Sequence, residues 1–291
     1  MRITKLFEEK WPTVSFEFFP PRTDVGRQSL LKVVDRLASE ITPDFLSVTY
    51  GAGGSTRTLS LDVCREIQSL TSGQVMAHLT CVCHTYAEID SIVDQLWESG
   101  IVNIMALRGD RPKDTDPDAV FGDLIHARDL MAYLRTRHDF CLGGACFPEG
   151  HRETPDINVG IEHLVEKVDN GCEFLVTQMF FDKDVYFSFV DKVRAAGINV
   201  PVIPGVMPIT GFSQLDKFEV QFGVNLPPKL REAVSSREGD ESAIEQIGID
   251  WAANQCQALL DGGAPGIHFY TLNRSAATLK VCVAIGLGKD A

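Results

Sequence analysis

The chain of 291 residues carries 40 acidic against 27 basic side chains, a formal net charge of -13. With no basic block to neutralise phosphates, nucleic acid and anionic membranes are excluded as main partners, although a few converging cations can still hold a small anion. A hydrophobic fraction of 44% and a charged fraction of 23% are ordinary for a globular protein, and the length suits one large α/β domain or two smaller ones.

The N-terminal segment has no apolar signal core, and no run approaches the roughly 18 apolar residues of a membrane span, so a cytoplasmic protein is expected. The first strand is read at Val14–Phe19, in V-S-F-E-F-F-P-P-R. Alternation puts Val14, Phe16 and Phe18 on one face and Ser15, Glu17 and Phe19 on the other, and Pro20 and Pro21 end the run. Glu17 thus lies near a strand's C-terminal end among phenylalanines. Apolar surroundings raise a carboxyl pKa, as a proton donor near neutral pH requires; the competing reading is an edge glutamate paired with Arg22.

Seven further strands follow at Phe45–Thr49, Val75–Cys81, Ile101–Leu107, Cys141–Cys146, Phe174–Gln178, Val202–Val206 and Gly266–Tyr270. Helical periodicity fills the intervals, most clearly at Ile89, Ile92, Val93, Leu96 and Trp97, and Gly73, Gly100, Gly171 and Gly197 close helices before the next strand. The last interval is longer and holds Phe212–Phe222, the turn at Pro227–Pro228 and a long helix near Glu241–Leu260. Eight βα units predict a (β/α)8 TIM barrel with an extra helical insert before the last strand, as one domain over residues 1–291. A doubly wound sheet is the rival, but no G-x-G-x-x-G follows the first strand.

Barrel chemistry gathers at the C-terminal strand ends. There the chain offers Glu17, the glycine-rich T-Y-G-A-G-G-S-T-R (Thr49–Arg57), His78 with Thr80, Arg108 and Asp110 in A-L-R-G-D-R-P, Phe147 and His151 in F-P-E-G-H, Gln178, Tyr270 and Arg274. Each has a plain alternative: a tight turn for the glycine loop, a core histidine for His78, a local salt bridge for Arg108 and Asp110. No dense Asp/His/Glu cluster suggests a metal, and the eight cysteines, scattered through apolar stretches, read as buried reduced thiols. One candidate acid, one deep aspartate, amide and hydroxyl donors and many aromatics suit a flat conjugated cofactor and substrate.

Taken as strings, S-F-E-F-F-P-P-R, V-T-Y-G-A-G-G-S-T-R, H-L-T-C, A-L-R-G-D, P-E-G-H, T-Q-M-F-F-D, P-G-V-M-P and F-Y-T-L-N-R, in this order from Ser15 to Arg274, resemble the methylenetetrahydrofolate reductase family in its short bacterial form. The resemblance implies non-covalent FAD at the barrel mouth, reduced by NADH or NADPH, and ping-pong reduction of 5,10-methylenetetrahydrofolate to 5-methyltetrahydrofolate. It makes Glu17 the general acid that promotes opening of the folate's five-membered ring, and Asp110 the aspartate near flavin and pterin. It places FAD at Thr49, His78, Leu107, Arg108, Gly109, Asp110, Phe121, Phe147, His151 and Lys167, and the folate at Gln178, Gln214, Phe218, Tyr270 and Arg274. Arg108 and Lys167 are the natural partners of the ribityl–pyrophosphate region. Phe218 would stack on pterin or nicotinamide, its alternative being a core residue of the insert. Phe121 and Phe147 stand where the family often has tyrosine, and Gly160 and Glu166 where an acidic and a basic residue are common.

The rival functions are a flavin-free lyase or methyl transferase using Glu17 and Asp110 as an acid–base pair, and a non-catalytic folate- or flavin-binding barrel. Small-molecule substrates, a folate and a nicotinamide nucleotide, are the expected partners, and exposed apolar helix faces fit a homo-oligomer.

Overall fold

In the computed structural model, residues 1–51, 57–110 and 122–288 are described. The elements run α1 (Ile3–Glu9), β1 (Thr13–Phe18), α2 (Asp24–Glu40), β2 (Phe45–Val48), α3 (Arg57–Leu70), β3 (Gln74–Thr80), α4 (Tyr86–Glu98), β4 (Asn103–Leu107), α5 (Ala127–Leu134), β5 (Cys141–Cys146), α6 (Ile157–Asp169), β6 (Phe174–Thr177), α7 (Lys183–Ala195), β7 (Val202–Ile203), β8 (Gly205–Val206), α8 (Gln214–Phe222), α9 (Pro228–Ser235), α10 (Glu241–Asp261), β9 (Gly266–Tyr270) and α11 (Ala276–Ala284).

All strand pairs are parallel, in the order β7-β6-β5-β4-β3-β2-β1-β9-β8. The seventh stave, expected as one strand, is split at Pro204, which has no N–H to give a ladder. Its first half pairs with β6 and its second with β9, while Pro204 O accepts from His268 N at 3.0 Å. The ring therefore closes through a broken stave, and the TIM-barrel expectation holds.

Two apolar layers follow from strand alternation. Val14, Phe16 and Phe18 face outward with Leu46, Val48, Ala77, Leu79, Ile104, Leu142 and Leu175, against the helices. The lumen holds Phe45, Met76, Met105, Phe174, Val176 and Ile203. Ile3 of α1 joins that inner cluster, and Ile3 N donates to Asn103 Oδ1 at 2.8 Å, so α1 plugs the N-terminal end. The sequence reading did not contain this helix.

The insert before β9 has its own core of Leu215, Phe218, Val224, Leu226, Leu230, Val234 and Ile244, packed on Met179 and Phe181 after β6. Trp251 Nε1 and Gln255 Nε2 of α10 donate to Phe181 O and Phe180 O at 2.9 and 2.8 Å. The insert is thereby fixed beside the C-terminal ends of β5 and β6. Among the described residues no helix is long and apolar enough to cross a membrane.

Candidate active site

Register sets the first contact. Glu17 on β1 stands beside Ser47 on β2 and Tyr270 on β9, and Ser15 stands beside His268. Because Phe16 and Phe18 point outward, Glu17 points into the lumen, where its neighbours are imidazoles and not phenylalanines. Glu17 Oε2 lies 3.3 Å from His78 Nε2 and 3.6 Å from His268 Nε2, and Ser47 Oγ donates to the same oxygen at 3.5 Å. Both Nε2 atoms are buried and, among the described residues, meet no partner closer than this carboxylate. His268 is held by Ser15 Oγ at 2.8 Å from Nδ1, by Phe45 stacked at 5.8 Å and by Tyr270 edge-on at 5.4 Å.

These surroundings reverse the expected shift. Burial pushes the Glu17 carboxyl up, but the charge of His78, the hydrogen bond from His268 and the Ser47 hydroxyl together outweigh it, and Glu17 rests below its usual value. Burial holds His78 below its usual value, with Glu17 offsetting part of the effect and His268 adding to it. The contact of Ser15 Oγ with Nδ1 turns the Nε2 edge of His268 toward Glu17. One carboxylate oxygen thus faces two imidazole nitrogens in this part of the lumen.

Tyr270 closes the group from the other side. Its hydroxyl donates to Thr177 O at 2.5 Å, and burial drives its pKa well up, so it stays a neutral phenol.

A second group stands where β4 and β5 part. Their ladder ends at Met105–Gly143, although β4 runs on to Leu107 and β5 to Cys146, while β3 stays bonded to β4 through Cys81 N to Leu107 O and Val82 N to Arg108 O. Gln178 N donates to Cys146 O on the β6 side, so by alternation Ala145 O faces β4 and the opened gap. Lys167 Nζ of α6 fills it, donating to Ala145 O at 2.8 Å. Burial lowers the Lys167 pKa, and among the described residues no carboxylate pairs with it.

Arg108 follows β4. Gly109, at φ +89°, has no room for a Cβ, which would stand 2.5 Å from Val82 Cγ1. Arg108 is bidentate to Glu153: Nη2 donates to Oε1 at 3.0 Å and Nη1 to Oε2, while Nε donates to Gly109 O at 3.2 Å. Hydrogen bonding to Glu153 raises the guanidinium pKa. Glu153 is carried by the P-E-G-H loop. Gly150 sits at φ +89°, a Cβ there would lie 2.5 Å from Pro155 O, and His151 and Thr154 exchange backbone hydrogen bonds.

Asp110 is exposed, with no hydrogen bond or ion pair to Glu17, so the deep aspartate of the sequence reading is corrected and the acid–base pair of the rival enzyme does not form. Leu107 packs at the edge of the lumen cluster, and Phe147 meets His151 edge-on at 4.7 Å. Burial holds His151 below its usual value. Thr49 sits at the end of β2, its N donating to Phe18 O at 2.8 Å. His78, expected at the flavin, is turned to Glu17. Gln178 Oε1 accepts from its neighbour Met179 N at 2.9 Å. Gln214 Oε1 accepts from Thr210 N and Gly211 N at 2.6 and 3.0 Å, bracing the start of α8. Phe218 is in the insert core, stacked on Phe181 at 5.5 Å, as its plain reading had it. Arg274 is exposed, and no ion pair holds it among the described residues. Glu166 pairs with Arg128. Phe121 and most of the glycine-rich loop lie outside the described residues. Sequence reasoning missed His268, Ser15, Ser47 and Glu153; H-F-Y at the last strand end was the one available signal, through the inward alternation of His268 and Tyr270.

Fold and site together define a (β/α)8 barrel with an acid–imidazole cluster in its lumen and a cationic cleft at the C-terminal mouth. A family model described as methylenetetrahydrofolate reductase matches residues 2–286. The chain is 35% identical over 278 residues to 5,10-methylenetetrahydrofolate reductase of Pectobacterium carotovorum, covering 95% of this chain and 91% of that one. It is 38% identical over 288 residues to methylenetetrahydrofolate reductase 1 of Schizosaccharomyces pombe, covering 97% of this chain and 48% of that one. It thus spans about half the length of its fungal relatives and about nine-tenths of the bacterial one. Among solved structures, an uncharacterized protein from Clostridium thermocellum that binds two copies of 5-methyl-5,6,7,8-tetrahydrofolic acid shares the fold, with a TM-score of 0.66 over 99% of this chain and 98% of that one, at 15% identity. The chain belongs to the methylenetetrahydrofolate reductase family.

Proposed function

We propose that this chain reduces 5,10-methylenetetrahydrofolate to 5-methyltetrahydrofolate with electrons from NADH or NADPH passed through FAD. The observation that carries the reading is Glu17, a carboxylate in the lumen near the C-terminal end of β1 whose Oε2 is met by two imidazole nitrogens.

The residues present fit the cofactor. A dinucleotide brings a diphosphate, and the mouth offers Lys167, a half-buried ammonium with no carboxylate partner among the described residues, together with the Arg108 fork. Thr49, Leu107, Gly109, Asp110, Phe147 and His151 complete the wall. When bound, FAD supplies a hydride acceptor and donor to the two substrates in turn.

The chain's own groups do the rest. Glu17, which rests ionised between His78 and His268, must take up a proton and then gives it to the leaving nitrogen of the folate ring, a step worth about 10²–10⁴ in rate for a positioned acid. Tyr270 stays a neutral phenol beside Glu17. Gln178 keeps its amide Nε2–H₂ for a pterin, since its oxygen is taken by Met179 N. Arg274, exposed at the rim, suits a glutamate tail. Phe218 would have to leave its stack on Phe181 to cover a ring at the mouth.

The test is Glu17→Gln, which keeps shape and removes the proton. Folate reduction should fall at least about 100-fold while NAD(P)H oxidation by a quinone persists. Folate reduction at the parent rate would remove Glu17 from the acid role.

A further inference from the structure

Two cations border the cleft between β4 and β5, and they are not in the same state. Lys167 is half-buried and pairs with no carboxylate among the described residues. Arg108 has both arms of its fork on one carboxylate, Glu153, and its Nε on Gly109 O. A guanidinium fork receives a carboxylate and a phosphate in the same bidentate geometry, so Glu153 occupies the seat that a phosphate oxygen pair would take.

The attachment of Glu153 is asymmetric. Its loop is tightly built, with Gly150 at φ +89°, the His151–Thr154 backbone pair and Glu153 N donating to His151 Nδ1 at 3.2 Å. Its side chain is 53% exposed, against 23% for Arg108. The carboxylate can therefore turn into water while the loop and the arginine stay in place, and an ion pair so exposed is cheap to break. Charge argues for the exchange. If Glu153 stayed, an incoming diphosphate would meet Glu153 and Asp110 as well as Arg108 and Lys167; with Glu153 turned away, the cations prevail.

We propose that Glu153 is a displaceable internal anion that holds the Arg108 fork in position until a phosphate of the bound dinucleotide takes the same two donors. This rests on the FAD reading above and adds to it a residue that opposes cofactor binding. FAD then binds less tightly than the cationic cleft alone would allow, and the deficit belongs to the phosphate end of the molecule, not to the isoalloxazine.

The test is equilibrium release of flavin from the purified holoprotein on serial dilution, followed by free-flavin fluorescence, for the parent, Glu153→Gln, Arg108→Gln and the double variant. Losing one exposed competing ion pair should lower the FAD dissociation constant of Glu153→Gln about three- to five-fold. Arg108→Gln should raise that constant and abolish the effect of Glu153→Gln in the double variant. Riboflavin, which has no phosphate, should bind parent and Glu153→Gln alike, and thermal unfolding of Glu153→Gln should match the parent. Weaker FAD binding by Glu153→Gln would overturn the proposal and make Glu153 an orienting residue for Arg108. An unchanged constant, or equal shifts for FAD and riboflavin, would also overturn it. A protein that holds no flavin in any variant would instead sink the FAD reading, and this proposal with it.

Discussion

At Glu17 two opposing effects of burial meet. Removing the carboxylate from water raises its pKa, and the same low-dielectric lumen strengthens its attraction to His78 and His268, which wins. The signs of the pH dependence follow. Glu17, depressed in the folded chain, contributes stability above its unfolded value near 4.3 that is lost as pH falls through the folded value. His78 is depressed as well, so below about pH 6.5 the unfolded chain takes up its proton first, and stability falls as pH drops through that range. His78→Gln should therefore flatten the fall in urea midpoint between pH 7 and pH 5; an acid limb as steep as the parent's would show that His78 does not titrate differently on folding. The alternation in V-S-F-E-F-F was legible, and it put Glu17 on the correct face. Its environment was not legible, because His78 and His268 reach it from strands 61 and 251 positions further along the chain, and only barrel register brings them together.

At the level of elements, the eight staves and the long helix of the insert could be read from periodicity and breakers, whereas two features could not. One is α1, a seven-residue helix whose only fully buried side chain is Ile3, too short for a periodic signal. The other is the break at Pro204. A proline inside an apolar run shows where a ladder bond is missing, but not that each half of the stave serves a different neighbour. That break is tightly packed: a Cβ on Gly205 would stand 2.4 Å from Thr177 O and 2.5 Å from Tyr270 Cε2. Gly205 N also donates to Thr177 Oγ1 at 2.9 Å, and Tyr270 to Thr177 O. Gly205→Ala should therefore cost about 1–3 kcal/mol, as overpacking does, and should also slow folate reduction by pushing Tyr270 toward Glu17. Denaturant unfolding and steady-state rates check both halves. A variant with parent stability would mean that the β7–β8 break can yield.

For the whole molecule, closing the barrel gives one end to structure and the other to chemistry. The N-terminal end is plugged by α1, the inner wall is apolar at depth, and the polar groups collect where the strands end, beside an insert anchored by Trp251 and Gln255. The family is shown by similarity along nearly the full chain; the flavin and the folate rest on the cationic cleft and the Glu17 cluster. Both are tested together by the absorbance spectrum of the purified protein under anaerobic conditions, first with NADH and then with 5,10-methylenetetrahydrofolate. The account predicts flavin bands that bleach on NADH and return on addition of the folate. Bands that bleach and do not return would contradict the folate assignment, and a colourless protein that takes up no added FAD would contradict the reductase account itself.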